Sequence, residues 1–236
     1  MHSARGLGSV IMVMRRRGPP ISATVANGPY LLTEVGSMPV TNNSRVLLVR
    51  HGRMVLNGEN RLRGHLDPSL DEVGRTEVAA LGEALAAQDP VRVVSSPLRR
   101  AVQTAESIAG AAGLDVVVAQ GLIDRDYGRW AGHTQDELIA AWGSVDAAPG
   151  VEPADAVFYR ACVVLDQQLR FLGARPVVLV AHDVVNRLLL AHLDSSLGPA
   201  NAIDQRTACW NEIVHVLGDW RVRLVDQKPR LSSGVR

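Results

Sequence analysis

Apolar positions along this chain alternate between two textures, short β-rich runs and longer stretches striped at helical spacing. "RVLLV" (45–49) has the pattern of a strand covered on both faces, "VRVVS" (91–95) and "DVVVA" (115–119) read as further short strands, and "PVVLVAH" (176–182) is the most strongly apolar strand. Between them, "LDEVGRTEVAALGEALAAQ" (70–88) places Val73, Val78, Leu81 and Leu85 on one stripe, with Asp71 positioned to cap the start. "PLRRAVQTAESIAGAAG" (97–113) reads as a helix with Pro97 in its first turn and Gly113 just past its end. Further helices are expected around 134–142, over about 153–172, and in "DVVNRLLLAHL" directly after the fourth strand. Two last strands, near 210–217 and 220–225, are joined by the turn "GD" (218–219) and should pair antiparallel.

Strands alternating with helices predict an α/β fold, a three-layer sandwich. A mostly parallel central sheet lies between helices, with an antiparallel hairpin at its C-terminal edge. Residues 1 to about 43 show neither period and carry Gly, Pro, Ser and Asn throughout, which predicts a mobile tail and leaves Met38 as a candidate start. The domain is expected over residues 44–228, with a short tail over 229–236.

Composition narrows the class. Of 236 residues, 47% are hydrophobic and 21% charged, enough to bury a core without crosslinks. The formal charge of +1 provides no global field toward nucleic acid or membrane, so neither is an expected partner. No apolar run reaches the roughly 18 residues of a spanning helix. In "GLGSVIMVMRRRGPP" a short apolar patch precedes the charges, the reverse of a secretory signal. Cys162 and Cys209 lie far apart and read as reduced, packed thiols. A cytoplasmic protein is the expectation.

Candidate chemistry collects at the strand ends. In an open α/β sheet, ligands sit beyond the carboxyl ends of the strands. There stand Arg50-His51-Gly52, then Ser96-Pro97 with Arg99 and Arg100, then His182-Asp183, and a loop with Asp124, Arg125 and Asp126. The set suits phosphoryl transfer through a nucleophilic imidazole. Guanidinium forks bind phosphate oxygens and keep their charge. Helix N-termini near 97–100 and 183–186 add donors. A neutral imidazole attacks through one ring nitrogen when the other is held as a donor. A carboxyl group then protonates the leaving alkoxide. His65, His133, His192 and His215 have no metal-ligand spacing, and no metal site is expected. Trp130 and Trp142 read as packing residues that could also line a substrate mouth.

Six segments in order carry a resemblance: "LLVRHG" followed by Asn57, "RLRGHLDPSLDEVGR", "SSPLRRAVQTAESI", "LIDRDYGRWAG", "PGVEP" and "VVLVAHD". Together they resemble branch 1 of the histidine phosphatase superfamily, the phosphoglycerate-mutase-like proteins, from about Val46 to Leu217. The resemblance implies that His51 is phosphorylated and that Arg50, Arg100 and His182 form the phosphate pocket. Asn57 helps; beside what the resemblance implies, Arg53 and Arg63 are candidate substrate-binding residues. The general acid falls on Asp124, where the family more often has glutamate; Asp183 is the alternative, because another branch uses the Asp of a His-Asp pair. Arg53 and Met54 depart from the family pattern, as does Ala131 after Trp130, and Arg53, with Arg61 and Arg63, would make the mouth more basic.

The implied activity is metal-independent hydrolysis of small phosphate monoesters without a cofactor. A phosphoglycerate mutase-type phosphomutase and a non-catalytic phospho-ligand binder are the alternatives. The short segment between Asp124 and Pro153 leaves little for a lid, which favours the hydrolase. The resemblance also admits a homodimer.

Overall fold

The computed structural model describes residues 44–58 and 61–229. The tail expected over 1–43 and the start considered at Met38 lie outside the described residues, as does all but the first residue of the tail expected over 229–236. Within them, β1 (Ser44–Arg50), β2 (Arg92–Ser95), β3 (Val116–Val118), β4 (Val177–Ala181), β5 (Trp210–Val216) and β6 (Asp219–Gln227) form one sheet in the order β3-β2-β4-β1-β5-β6. The first four strands run parallel, and β5 and β6 are added antiparallel beyond β1.

The period of two along the buried strands sorts their side chains between two helical layers. On one face Val46, Leu48, Val177 and Leu179 pack against α4 (Ala154–Gln167) and α5 (Asp183–Leu193). On the other, Leu47, Val49, Val178 and Val180 meet α1 (Glu72–Ala86) and α2 (Arg99–Ala112). Each fully buried leucine here is worth about 2–5 kcal/mol against alanine. A satellite cluster of Leu62, Tyr127, Leu138 and Ala148 holds α3 (Gln135–Trp142) above the sheet's carboxyl edge. Thr134 and Glu137 cap that helix reciprocally. Among the described residues no helix is long and apolar enough to cross a membrane.

Four local expectations are corrected. Val73 is 46% exposed, because α1 turns Gly74 inward instead; a Cβ at Gly74 would lie 2.0 Å from the Arg53 carbonyl oxygen. Pro97 precedes α2, since the Ser96 hydroxyl accepts the N–H of Leu98 (3.3 Å) and keeps Leu98 extended as the N-cap residue. The helix expected to run to about 172 ends at Gln167 and continues as a 3-10 turn over Leu169–Phe171. The hairpin turns at Leu217-Gly218, both at positive φ (52° and 93°), the type I′ geometry that matches strand twist. The cap at Asp71 forms as expected, its carboxylate accepting the N–H of Gly74 at 2.7 Å.

Candidate active site

The loop that carries His51 begins where β1 stops. His51 donates its backbone N–H to the Ala181 carbonyl of β4 (3.2 Å), and its own carbonyl accepts the N–H of Ala208 (3.0 Å). The next N–H, of Gly52, goes to the Thr104 hydroxyl on α2 (3.1 Å), which in turn donates to the Arg100 carbonyl. A Cβ on Gly52 would stand 2.5 Å from Val78, so the chain passes α1 here only as glycine. The loop is thus pinned on three sides.

The imidazole of His51 is fully buried. Its Nδ1–H faces the Gly52 carbonyl at 2.8 Å, which fixes the tautomer and leaves Nε2 buried and without a partner. Burial lowers its pKa well below the ordinary range, and Arg100 and Arg50 lower it further, so the ring stays neutral. His182 lies beside it, the ring centroids 5.2 Å apart. Ser96, already accepting from Leu98, is placed to donate its hydroxyl to His182 Nε2 (2.7 Å). That arrangement leaves Nδ1 of His182 facing Asp124, 3.7 Å from Oδ2. Burial lowers this ring's pKa too, reinforced by Arg100.

Arginines surround the pair. Arg100, fully buried, donates to the carbonyls of Leu66 (2.7 Å) and Gly64 (3.1 Å) and to Asp124 Oδ2 (2.8 Å). Arg50 donates to the Gln205 carbonyl and lies 3.5 Å from Asp183 Oδ2, the same oxygen that Arg63 reaches at 3.3 Å. A buried network of Asn186, Gln205 and Asn211 supports that corner. Among the described residues, the Nε atoms of Arg50, Arg63, Arg100 and Arg187 and the Nδ1 of His182 are buried without hydrogen-bond partners. Unsatisfied buried donors demand an acceptor. Arg100, Arg50 and Arg63 all act electrostatically on the His51 imidazole, an arrangement suited to an anionic group.

The two carboxylates differ sharply. Burial pushes the pKa of Asp124 up, offset in part by Arg100, so it holds a proton more readily than an ordinary aspartate. Asp183 is held well below the usual carboxylate range: burial would raise it, but Arg50 and then Arg63 overcome that. One carboxyl is shifted toward its protonated form; the other is held as an anion.

Arg50, Asn57, Arg61, Arg63, Asp124 and Asp183 line a single cleft of about 240 Å³. Asn57 folds back, its side-chain oxygen accepting the N–H of Met54 (2.9 Å). Arg53 is not brought to the cleft. Its Nε donates to Asp71 (2.9 Å) on the outer side of the loop, beside a buried Met54, because Asp71 offers a carboxylate oxygen that the α1 cap leaves over. Trp130 and Trp142 pack edge to face, 6.1 Å apart, and line neither the cleft nor the chamber beside it. Sequence reasoning missed Arg187, which lines the cleft one helical turn after Asp183, and the supports Ser96, Thr104 and Gln205. The i, i+4 spacings Asp183–Arg187 and Arg100–Thr104 were the available signals. Among the described residues no group of three or more His, Cys, Asp or Glu side chains could hold a metal ion.

Comparison with known proteins gives the family. A sequence model of the histidine phosphatase superfamily (branch 1) matches residues 46–228. A glucosyl-3-phosphoglycerate phosphatase of Mycolicibacterium vanbaalenii is 33% identical over 165 residues, 63% of this chain and 73% of that protein. A bifunctional protein of Mycobacterium tuberculosis is 36% identical over 166 residues, covering 66% of this chain and 46% of its own length. The solved structure of a mycobacterial glucosyl-3-phosphoglycerate phosphatase with inorganic phosphate is similar with a TM-score of 0.69. It is 30% identical, and the match covers 80% of this chain and 100% of that one.

Proposed function

The chain belongs to branch 1 of the histidine phosphatase superfamily and is a phosphatase of that type, and from this premise we propose that it hydrolyses phosphate monoesters through His51. His51 Nε2 attacks phosphorus and the ester P–O bond breaks. Asp124 gives its proton to the departing alkoxide. Water then attacks the phosphohistidine, Asp124 takes a proton back, and the P–N bond breaks to release phosphate. Arg50, Arg63 and Arg100 hold the phosphoryl oxygens, and His182 stabilises charge developing on them. Asp183 positions Arg50 and Arg63, since the alternative role of acid asks for a proton that those guanidiniums drive off.

One observation carries the proposal: a fully buried imidazole whose Nδ1 is committed, whose Nε2 has no partner, and which lies in the field of Arg100, Arg50 and Arg63. Free, shielded thiols at Cys162 and Cys209, each with a pKa pushed up to about 12 by burial, suit a reducing cytoplasm and are poor nucleophiles. The test is a rapid-quench experiment with a labelled ester. Wild type should yield an acid-labile, base-stable phosphoenzyme, and His51→Ala none, with turnover down by about 10⁴ or more. Equal hydrolysis by His51→Ala refutes the mechanism. Isomerised phosphoglycerate without phosphate release would restore the mutase alternative.

A further inference from the structure

Beyond the arginines the cleft opens into a second chamber of about 470 Å³. Leu62, Tyr127, Gln135, Val184 and Arg187 border both spaces, so a ligand anchored by its phosphate in the first extends into the second. The two differ in charge. Arginines dominate the cleft. In the chamber, Arg125 is already spent, donating to Asp146 (2.5 Å) and to the Glu152 carbonyl (2.7 Å). Among the described cationic residues lining the chamber, Arg187 at the junction is the one with a buried donor that lacks a partner.

The remaining walls are divided. Ile139, Val184 and Leu188 supply apolar surface, while Gln135, Ser144 and Asn201 each carry groups that both donate and accept hydrogen bonds. Tyr127 is the one aromatic residue among those lining the chamber, and it is almost wholly buried. A planar base would ask for exposed aromatic faces to stack on. An anionic group would ask for an unspent cation deeper than the junction. A saturated ring with hydroxyl groups has what these walls complement, an apolar C–H face and a hydrogen-bonding edge. The volume lies within the range of small-molecule sites.

We propose that the second chamber takes the alcohol half of the substrate and that this half is an uncharged, hydroxyl-bearing ring. The inference rests on the phosphatase reading above and names the substrate class of that site. Steady-state kinetics on four probes test it: glycerol phosphate, a hexose phosphate, a nucleoside monophosphate and a sugar bisphosphate. In wild type the hexose phosphate should exceed the other three in kcat/KM by about tenfold or more. Ser144→Trp and, separately, Asn201→Trp fill the chamber from exposed positions. Each should lower the hexose-to-glycerol ratio of kcat/KM by about tenfold. A flat ratio in wild type, a preference for the nucleotide or the bisphosphate, or a ratio unmoved in both variants overturns the inference while leaving the phosphatase reading intact. Release of no phosphate from any probe by folded protein overturns both.

Discussion

Replacing Asp124 by asparagine tests the division of labour between the carboxylates. The aspartate makes two hydrogen bonds with opposite oxygens: Oδ2 accepts from Arg100 at 2.8 Å and Oδ1 from the N–H of Arg125 at 2.9 Å. An asparagine has one oxygen, so whichever way the amide turns, one buried donor faces an NH₂ group. An orphaned donor costs about 1–3 kcal/mol. Breaking a buried ion pair costs up to about 3–5 kcal/mol, softened here because Arg100 keeps the carbonyls of Gly64 and Leu66. A net loss of about 2–4 kcal/mol follows, or roughly 5–15 °C in Tm for a domain of this size. The kinetic effect is separable, because it depends on the leaving group. An alkyl phosphate, whose alkoxide must be protonated, should lose about 10²–10⁴ in kcat; an aryl phosphate with an acidic phenol should stay within about tenfold. Because burial raises the carboxyl, the basic limb of the wild-type pH profile should lie above the ordinary aspartate range and vanish in the variant. The assay is run well below the measured Tm of the variant. The assignment is refuted if folded Asp124→Asn turns over the alkyl ester at the wild-type rate while Asp183→Asn does not.

Two further outcomes follow from packing and titration. Gly74→Ala places a methyl group 2.0 Å from the Arg53 carbonyl oxygen and should cost at least about 3 kcal/mol in urea unfolding, whereas Gly110→Ala, with nothing within 4 Å, should stabilise by about 0.5–1 kcal/mol. Equal effects of the two would show that α1 does not press on the loop. His51 and His182 are buried neutral with lowered pKa values, so the unfolded chain binds more protons and stability should fall as pH drops below about 6.5. Asp183, depressed by its arginines, adds stability above the unfolded carboxylate pKa that is lost as pH falls below about 4. Asp124 opposes this trend, and because the Asp183 charge is one of the causes that raise it, the difference between wild type and Asp183→Asn reads Asp183 together with its effect on Asp124. Chemical denaturation at several pH values should show the variant with a flatter slope below pH 4 and an unchanged one near 6.

What the sequence disclosed depended on whether one segment carried its own reason. β1 and β4 are buried on both faces, so their apolar runs were unambiguous and the residues ending them, His51 and His182, were placed with them. Asp71 capped its helix for the same local reason. The errors arose where a distant segment decides. Val73 and Gly74 differ by one position, and the carbonyl of Arg53 settles which faces inward. Arg53 was assigned to the mouth from its neighbours in sequence, but Asp71 draws it to the outer side. The contrast between Asp124 and Asp183 is set by arginines from four separate segments, which no local pattern reports.

The pairing of Arg50 with Ala181 closes the parallel ladder, and His51 and His182 each stand one residue past that last rung. Adjacent strands stand about 4.7–4.9 Å apart, and the two rings inherit nearly that interval at 5.2 Å. Their spacing is therefore not tuned by side-chain choice. For anyone wishing to transplant this chemistry, a pair of neighbouring strands in fixed register sets the two histidines, while Arg63, Arg100 and Asp124 must come with their own segments. Insertions can lengthen any connection that keeps this register, while a one-residue slip between β1 and β4 would separate the histidines however perfectly every other residue was retained.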